Sequence, residues 1–254
     1  MRLADRFTTE GRQLFARRSV VPLVLLPVVL LAMPESRRVE AQLGAPWALA
    51  IQWLALAVAF AGVAVRCAAV GFAPDGTSSR DTHRLRAPSL NSTGMYSIVR
   101  HPLYLGSALI WLGAAMSLRV WWLVVIVGLV YWLYIERVML VEEQFLRQTF
   151  RAAFDDWVDR TPAFVPRWSQ WTSPSGPFLW KRVLGEHNGL LGIAVVMPLL
   201  EFLADQQDGG ESLTRWSHDH FDLVTLLAAG VLISSLSLVL RRRLAERATD
   251  SAVA

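Results

Sequence analysis

The sequence predicts an all-α integral membrane protein of about six transmembrane helices, with a tight helical hairpin and no Rossmann domain. Three observations carry this reading. Apolar residues make up 54% of the 254-residue chain and charged ones 18%, with a mean hydropathy of +0.36, more apolar than an ordinary soluble domain. Apolar runs recur at close to the ~20 residues that a helix needs to cross hydrocarbon. The basic residues are also sorted between the segments that connect those runs.

The first apolar run, 19–33, follows five arginines and resembles a secretory signal. It ends Ala32-Met33-Pro34-Glu35 with no small-x-small cleavage pattern, so it is expected to stay as the first span. The second run is 45–70. The third and fourth, 103–118 and 120–135, are separated by little more than Ser117 and Arg119, which predicts the tight hairpin. Gly106 and Gly113, with Ser107 and Ala114 beside them, give the third helix a small-residue face for close packing. Runs 189–204 and 223–240 complete the set.

Twenty of the 25 Lys and Arg fall in the connecting segments of one side. Arg37, Arg38, Arg119 and Arg215 fall on the other, and Arg66 lies within a span. That asymmetry predicts cytoplasmic N- and C-termini. The net charge of +4 is then read as topology and contact with anionic lipid, not as nucleic-acid binding. Residues 71–93, including His83, read as a polar loop. From Glu142 to Asp159 the pattern suits a helix leaving along the membrane surface, and Pro162, Pro166 and Pro174 interrupt regular structure beyond it. Residues 205–222 read as an acidic external loop. The organisation expected is an N-terminal segment and first span (1–44), a membrane core (45–167), and an extension with two further spans (168–254).

One stretch is dense in polar and aromatic groups at the mouth of a span: Gly94-Met95-Tyr96-Ser97-Ile98-Val99-Arg100-His101-Pro102-Leu103-Tyr104-Leu105-Gly106. Such groups near hydrocarbon need partners or a function. Pro102 fits the first turn of a helix, which holds Arg100 and His101 at a helix N-terminus suited to a carboxylate or phosphate. Tyr96 and Tyr104 offer aromatic faces to a cation or flat base. The alternative is a juxtamembrane anchor. Downstream, at the same membrane side, lies Glu136-Arg137-Val138-Met139-Leu140-Val141-Glu142-Glu143. Glu143 has Arg147 four residues on and is expected in a surface ion pair. Glu142 shares the apolar face and is the stronger functional candidate. His218-Asp219-His220 lacks a third ligand, and the lone Cys67 excludes a cysteine metal site, so no metal centre is expected. No phosphate-binding glycine loop or nucleophile elbow is present.

Arg100-His101-Pro102-Leu103-Tyr104-Leu105-Gly106, followed by a hairpin and Glu142-Glu143, resembles the Arg-His-Pro-x-Tyr … Glu-Glu signature of the isoprenylcysteine carboxyl methyltransferase and phospholipid methyltransferase superfamily. The resemblance covers about residues 50–167 and closes on Pro162-Ala163-Phe164-Val165-Pro166. The surrounding wording is similar to bacterial members, some of which methylate lipid A phosphate. In one place the chain departs: the superfamily's Phe-Gly-x-x-Tyr is here Phe150-Arg151-Ala152-Ala153-Phe154. The resemblance implies an integral membrane enzyme, in the bacterial inner membrane, that uses S-adenosylmethionine without a Rossmann domain. It implies that Tyr96, His101, Pro102, Tyr104, Gly106 and the Glu142-Glu143 pair form the cofactor site. Arg100 or Arg137 would hold an anionic head group, and the acceptor would be a lipid or lipid-like molecule drawn from the bilayer. A carboxylate or phosphate acceptor is favoured because it needs no general base. The alternatives are an NADPH-dependent membrane reductase of the sterol-reductase type and a non-enzymatic membrane scaffold.

Overall fold

The computed structural model describes residues 3–17, 20–73, 87–208 and 212–253. His83 and the middle of the polar loop lie outside them, as does Glu211. Among the described residues the chain is helical, with no strand. Its longer elements are α1 (Leu3–Ala16), α2 (Leu26–Leu43), α3 (Ala45–Gly71), α5 (Pro102–Ser117), α6 (Trp121–Phe150), α9 (His187–Asp205) and α11 (Phe221–Val253). Shorter helices lie between them: α4 (Met95–Ile98), α7 (Ala152–Arg160), α8 (Trp180–Val183) and α10 (Leu213–Asp219).

Among the described residues, four helical stretches are long and apolar enough to cross a membrane: Ala45–Gly71, Trp121–Phe150, Trp180–Asp205 and Phe221–Leu244. The N-terminal pair Thr9–Ala16 and Val21–Leu43 meets the same requirement only jointly, and it is bent by 96°. This departs from the six spans expected. The first apolar run does not stop at Met33: α2 continues through Pro34 to Leu43 and ends at Gly44, whose φ of +77° suits glycine. The third expected span, α5, has only 16 residues. At 1.5 Å per residue it reaches about 24 Å, short of the ~30 Å hydrocarbon core.

The hairpin is present. Leu118, Arg119 and Val120 join α5 to α6, with Arg119 at φ +60° turning the chain. The small-residue face of α5 packs on α3. A Cβ at Gly106 would stand 2.6 Å from the Gly62 carbonyl oxygen, and one at Gly113 2.6 Å from that of Ala55. The backbones approach as closely as glycine allows, which secures van der Waals contact where lipid supplies no hydrophobic drive between helices.

At the Ser117 end of α5, opposite the Pro102 end, buried charges are tied together. Arg119 pairs with Glu40 at 3.0 Å and Glu201 at 2.5 Å. Asp205 meets Arg37 at 2.5 Å, the Trp216 indole N–H at 2.7 Å and His220 at 3.1 Å. This joins α2, the hairpin turn, α9 and α10. Glu40, Glu201 and Asp205 bring carboxylate oxygens within 4.8 Å of one another. Two guanidinium groups, Arg37 and Arg119, face these three carboxylates, with the His220 ring at Asp205, so the cluster offsets most of its charge with its own side chains.

The surface helix read across 142–159 is two elements. α6 runs on to Phe150, Arg151 breaks it at φ +48°, and α7 comes next. Arg151 therefore takes a conformation that favours glycine at the very position where the superfamily wording has one.

Candidate functional site

Pro102 opens α5, with His101 as the residue before the helix. The proline lacks an N–H to satisfy and its fixed φ starts the turn. Upstream, α4 is held by the chain beyond α7. The backbone N–H of Arg100 donates to the Pro162 carbonyl at 2.9 Å, that of His101 to Ala163 at 3.3 Å, and that of Arg167 to Ile98 at 2.9 Å. The Pro162–Pro166 stretch thus runs alongside the Arg-His-Pro motif and fixes it from outside the helix. Trp157 adds an indole hydrogen bond to the Tyr96 carbonyl at 3.0 Å.

α6 brings the glutamates to this motif. The Tyr104 hydroxyl donates to Glu142 Oε1. His101 is 6% exposed; its Nε2 lies 2.9 Å from Glu143 Oε1 and its Nδ1 3.7 Å from Glu142 Oε2. The Arg100 Nε lies 3.4 Å from the same Glu143 oxygen, an ion pair without a hydrogen bond. The expected Glu143–Arg147 pair does not form, because Arg147 turns to Asp155 of α7 at 3.0 Å. Glu143 itself is the carboxylate that the helix start and Arg100 attract.

These groups border one cavity of about 950 Å³. Tyr96, Arg100, His101, Pro102, Tyr104 and Glu142 all line it. Burial pushes the Tyr96 phenol well above its ordinary range, and the Glu142 carboxylate acts in the same direction, so it stays a neutral hydroxyl. Tyr131 supports the wall by donating to the Tyr104 carbonyl at 2.7 Å. Three expected site residues lie elsewhere. Glu143 stands behind His101, outside the cavity lining. Gly106 serves the contact with α3, where its Cβ would meet Arg66 Cγ at 2.5 Å. Arg137 is not brought to the site. It faces α1, pairing with Glu10 at 3.2 Å, donating to the Leu133 carbonyl at 2.6 Å and stacking on the Phe7 ring at 4.7 Å.

Two cavity residues escaped the sequence reading. Arg66, noted only as a charge within a span, donates to Glu186 at 2.7 Å, Ser107 Oγ at 2.7 Å and the Leu103 carbonyl at 3.1 Å. Glu186 lies 120 residues away and is 7% exposed. An arginine in mid-span was the signal that a buried partner existed. Nothing local identified which carboxylate it was.

A cavity of this size is within the range of small-molecule and cofactor sites. Its chemistry is specific. One carboxylate, Glu142, is held by a phenol and a nearby imidazole, and Tyr96, Tyr104 and Trp157 line the same cavity. That arrangement accommodates a cation together with a flat ring system.

Comparison with known proteins agrees on the region. The phospholipid methyltransferase family matches residues 49–153. Among curated relatives, the nickel-cobalt-cadmium resistance protein NccN of Alcaligenes xylosoxydans xylosoxydans is 32% identical over 120 residues, covering 46% of this chain and 56% of that protein. The cobalt-zinc-cadmium resistance protein CzcN of Cupriavidus metallidurans is 30% identical over 123 residues, with the same coverage. The chain spans about half the length of the curated relatives it matches. No solved structure matches it. The stretch that matches holds the Arg-His-Pro motif, the hairpin and both glutamates, and over it the chain is similar to the phospholipid methyltransferase family.

Proposed function

We propose that this protein is an S-adenosylmethionine-dependent methyltransferase whose acceptor is a lipid or lipid-like molecule carrying an anionic carboxylate or phosphate. The observation that carries this reading is the convergence of Tyr96, His101, Tyr104 and Glu142 on one cavity at the Pro102 end of α5. S-adenosylmethionine, when bound, supplies a methyl group activated by a sulfonium. Glu142 supplies negative charge toward the cofactor's cationic groups, and Tyr104 fixes that carboxylate by donating to it. His101 is kept upright by Glu143, so the ring presents one edge to the cavity while its other nitrogen is engaged. Tyr96 and Trp157 give apolar faces that keep water from the reacting centre. Catalysis then rests on alignment of acceptor and methyl in a water-poor space. An anionic acceptor is already a nucleophile and asks for no proton transfer from the protein. The charge asymmetry of the connecting segments supports both termini lying in the cytoplasm, with the cavity open to soluble cofactor on that side.

The test is a pair of measurements on the purified full chain in detergent. Calorimetry should detect binding of S-adenosylmethionine and none of NADPH. Incubation with methyl-labelled cofactor and bacterial lipid extract should place label in a lipid fraction. Binding of NADPH instead would favour a reductase, and binding of neither a scaffold.

A further inference from the structure

The cavity is larger than the family segment alone. Lys181 and Arg182 of α8 and Arg241 of α11 line the same space as His101 and Glu142, and all three lie outside residues 49–153. The other cations of the wall are engaged. Arg66 is held by Glu186 and Ser107, and Arg100 by Glu143. Lys181 and Arg241 are exposed at the rim, and neither forms an ion pair among the described residues. Beside them the surface turns apolar, with Trp180 at 73% exposure and Leu236 and Leu240 of α11 also open. A membrane-crossing helix presents such residues to acyl chains.

We infer that Lys181 and Arg241 form an anionic-headgroup subsite at the rim of this cavity, which holds the phosphate of a membrane lipid while its acyl chains lie along α11. The inference deepens the methyltransferase reading and rests on it for what the bound lipid is used for. Cationic side chains near a membrane surface each contribute about 1 kcal/mol toward anionic lipid. Carried by α8 and α11 and not by the elements that hold His101 and Glu142, they give a lipid phosphate a contact of its own, apart from the carboxylate. The cationic end of a cofactor goes to Glu142, and the anionic end of a lipid goes to the rim. The extension after residue 167 then selects the acceptor, while the family segment provides the cofactor end.

The experiment measures binding of fluorescent dioleoyl phosphatidic acid to the full chain in nonionic micelles, alongside calorimetry with S-adenosylmethionine. Lys181→Ala/Arg241→Ala should weaken phosphatidic acid binding roughly 30-fold at low salt, from two contributions of about 1 kcal/mol. Its S-adenosylmethionine affinity should stay within about twofold of wild type, as expected if the two exposed cations contact the lipid and not the cofactor. Arg242→Ala/Arg243→Ala, beside Arg241 but outside the cavity lining, should leave phosphatidic acid binding unchanged. Retained lipid affinity in the first variant, or equal loss in both, would overturn the subsite. Short-chain phosphatidic acid should displace the probe at concentrations where inorganic phosphate does not; displacement by both alike would assign the rim to free phosphate and overturn the lipid source. If the lipid pattern holds while wild type binds no S-adenosylmethionine, the subsite stands and the methyltransferase reading falls. If the cofactor binds while the lipid pattern fails, the subsite falls and the methyltransferase reading stands.

Discussion

His101 Nε2 and Glu143 Oε1 stand 2.9 Å apart, so a direct hydrogen bond joins two half-motifs separated by 42 residues. Glu142, the adjacent residue, reaches the cavity instead. Neighbouring carboxylates on one helix thus meet different surroundings. Glu143→Ala should remove the partner of two largely buried basic groups and lower stability by about 1–3 kcal/mol, with only a several-fold loss of S-adenosylmethionine affinity. Glu142→Ala should leave the melting temperature nearly unchanged and abolish detectable cofactor binding. Calorimetry and thermal melting in detergent check both. Equal effects on affinity would contradict the division of roles.

Arg151 is held at φ +48°, ψ −120°, between α6 and α7. Non-glycine residues in such regions cost about 1–3 kcal/mol. Arg151→Gly should therefore raise the thermal midpoint, even though it also loosens the unfolded chain. The Arg151 side chain is exposed, so little packing is lost. A lowered midpoint would show that the arginine contributes more than its backbone costs.

Close approach of α3 and α5 depends on Gly62, Gly106 and Gly113. Gly113→Leu pushes a branched side chain against the Ala55 carbonyl and Ala59, and it should destabilise the bundle by about 1–3 kcal/mol or more. Gly128→Leu, where a Cβ meets only Leu112 at 3.6 Å, should be tolerated. Comparison of the two in one detergent separates close packing from general added bulk.

His220 sits between α10 and α11 and meets Asp205. The hydrogen bond to Asp205 raises the histidine above its ordinary 6.5, while burial opposes the rise. A folded state that binds the proton more tightly than the unfolded chain is stabilised fully below about pH 6.5, and the gain fades as pH rises through the raised folded value. The melting temperature of wild type should fall relative to His220→Gln from about pH 6.5 upward. Parallel profiles would contradict the assignment.

Local features were legible from the chain, and distant partners were not. Pro102 as a helix start, the hairpin around Arg119 and the glycine face of α5 follow from spacing alone, and all three are present. The choice of Glu142 over Glu143 for the cavity follows from the neighbours on one helix face. Pairings across the fold escaped for a physical reason. Glu143 has Arg147 one turn away, yet the buried His101 and Arg100 compete for it from another helix, while Arg147 meets Asp155 only because α6 breaks at Arg151. The resemblance offers Arg137 as an anion holder, but α1 brings Phe7 and, from 127 residues upstream, Glu10 to it. Span bounds were less legible where apolar runs and helices diverge: α2 outlasts its run, and α5 is shorter than a bilayer.

The ion-pair knot at the Ser117 end of α5 bears on how a bulky molecule gains access. Arg119, Glu40, Glu201, Arg37 and Asp205 clasp α2, the hairpin turn and α9 about 24 Å from Pro102, by helix rise. A bundle clasped at one end and hollow at the other moves like a pair of tweezers. α3 and α5 stay in backbone contact at Gly106 as at Gly113, so any opening falls between the other helices that border the cavity. The tips are where Tyr96, Glu142 and Arg241 border the cavity, so a modest tilt at the knot is amplified where a ligand slides between helices. Loosening the clasp with Arg119→Leu would therefore be felt first as a change in the rate of ligand exchange at the far end, where none of its members is in contact.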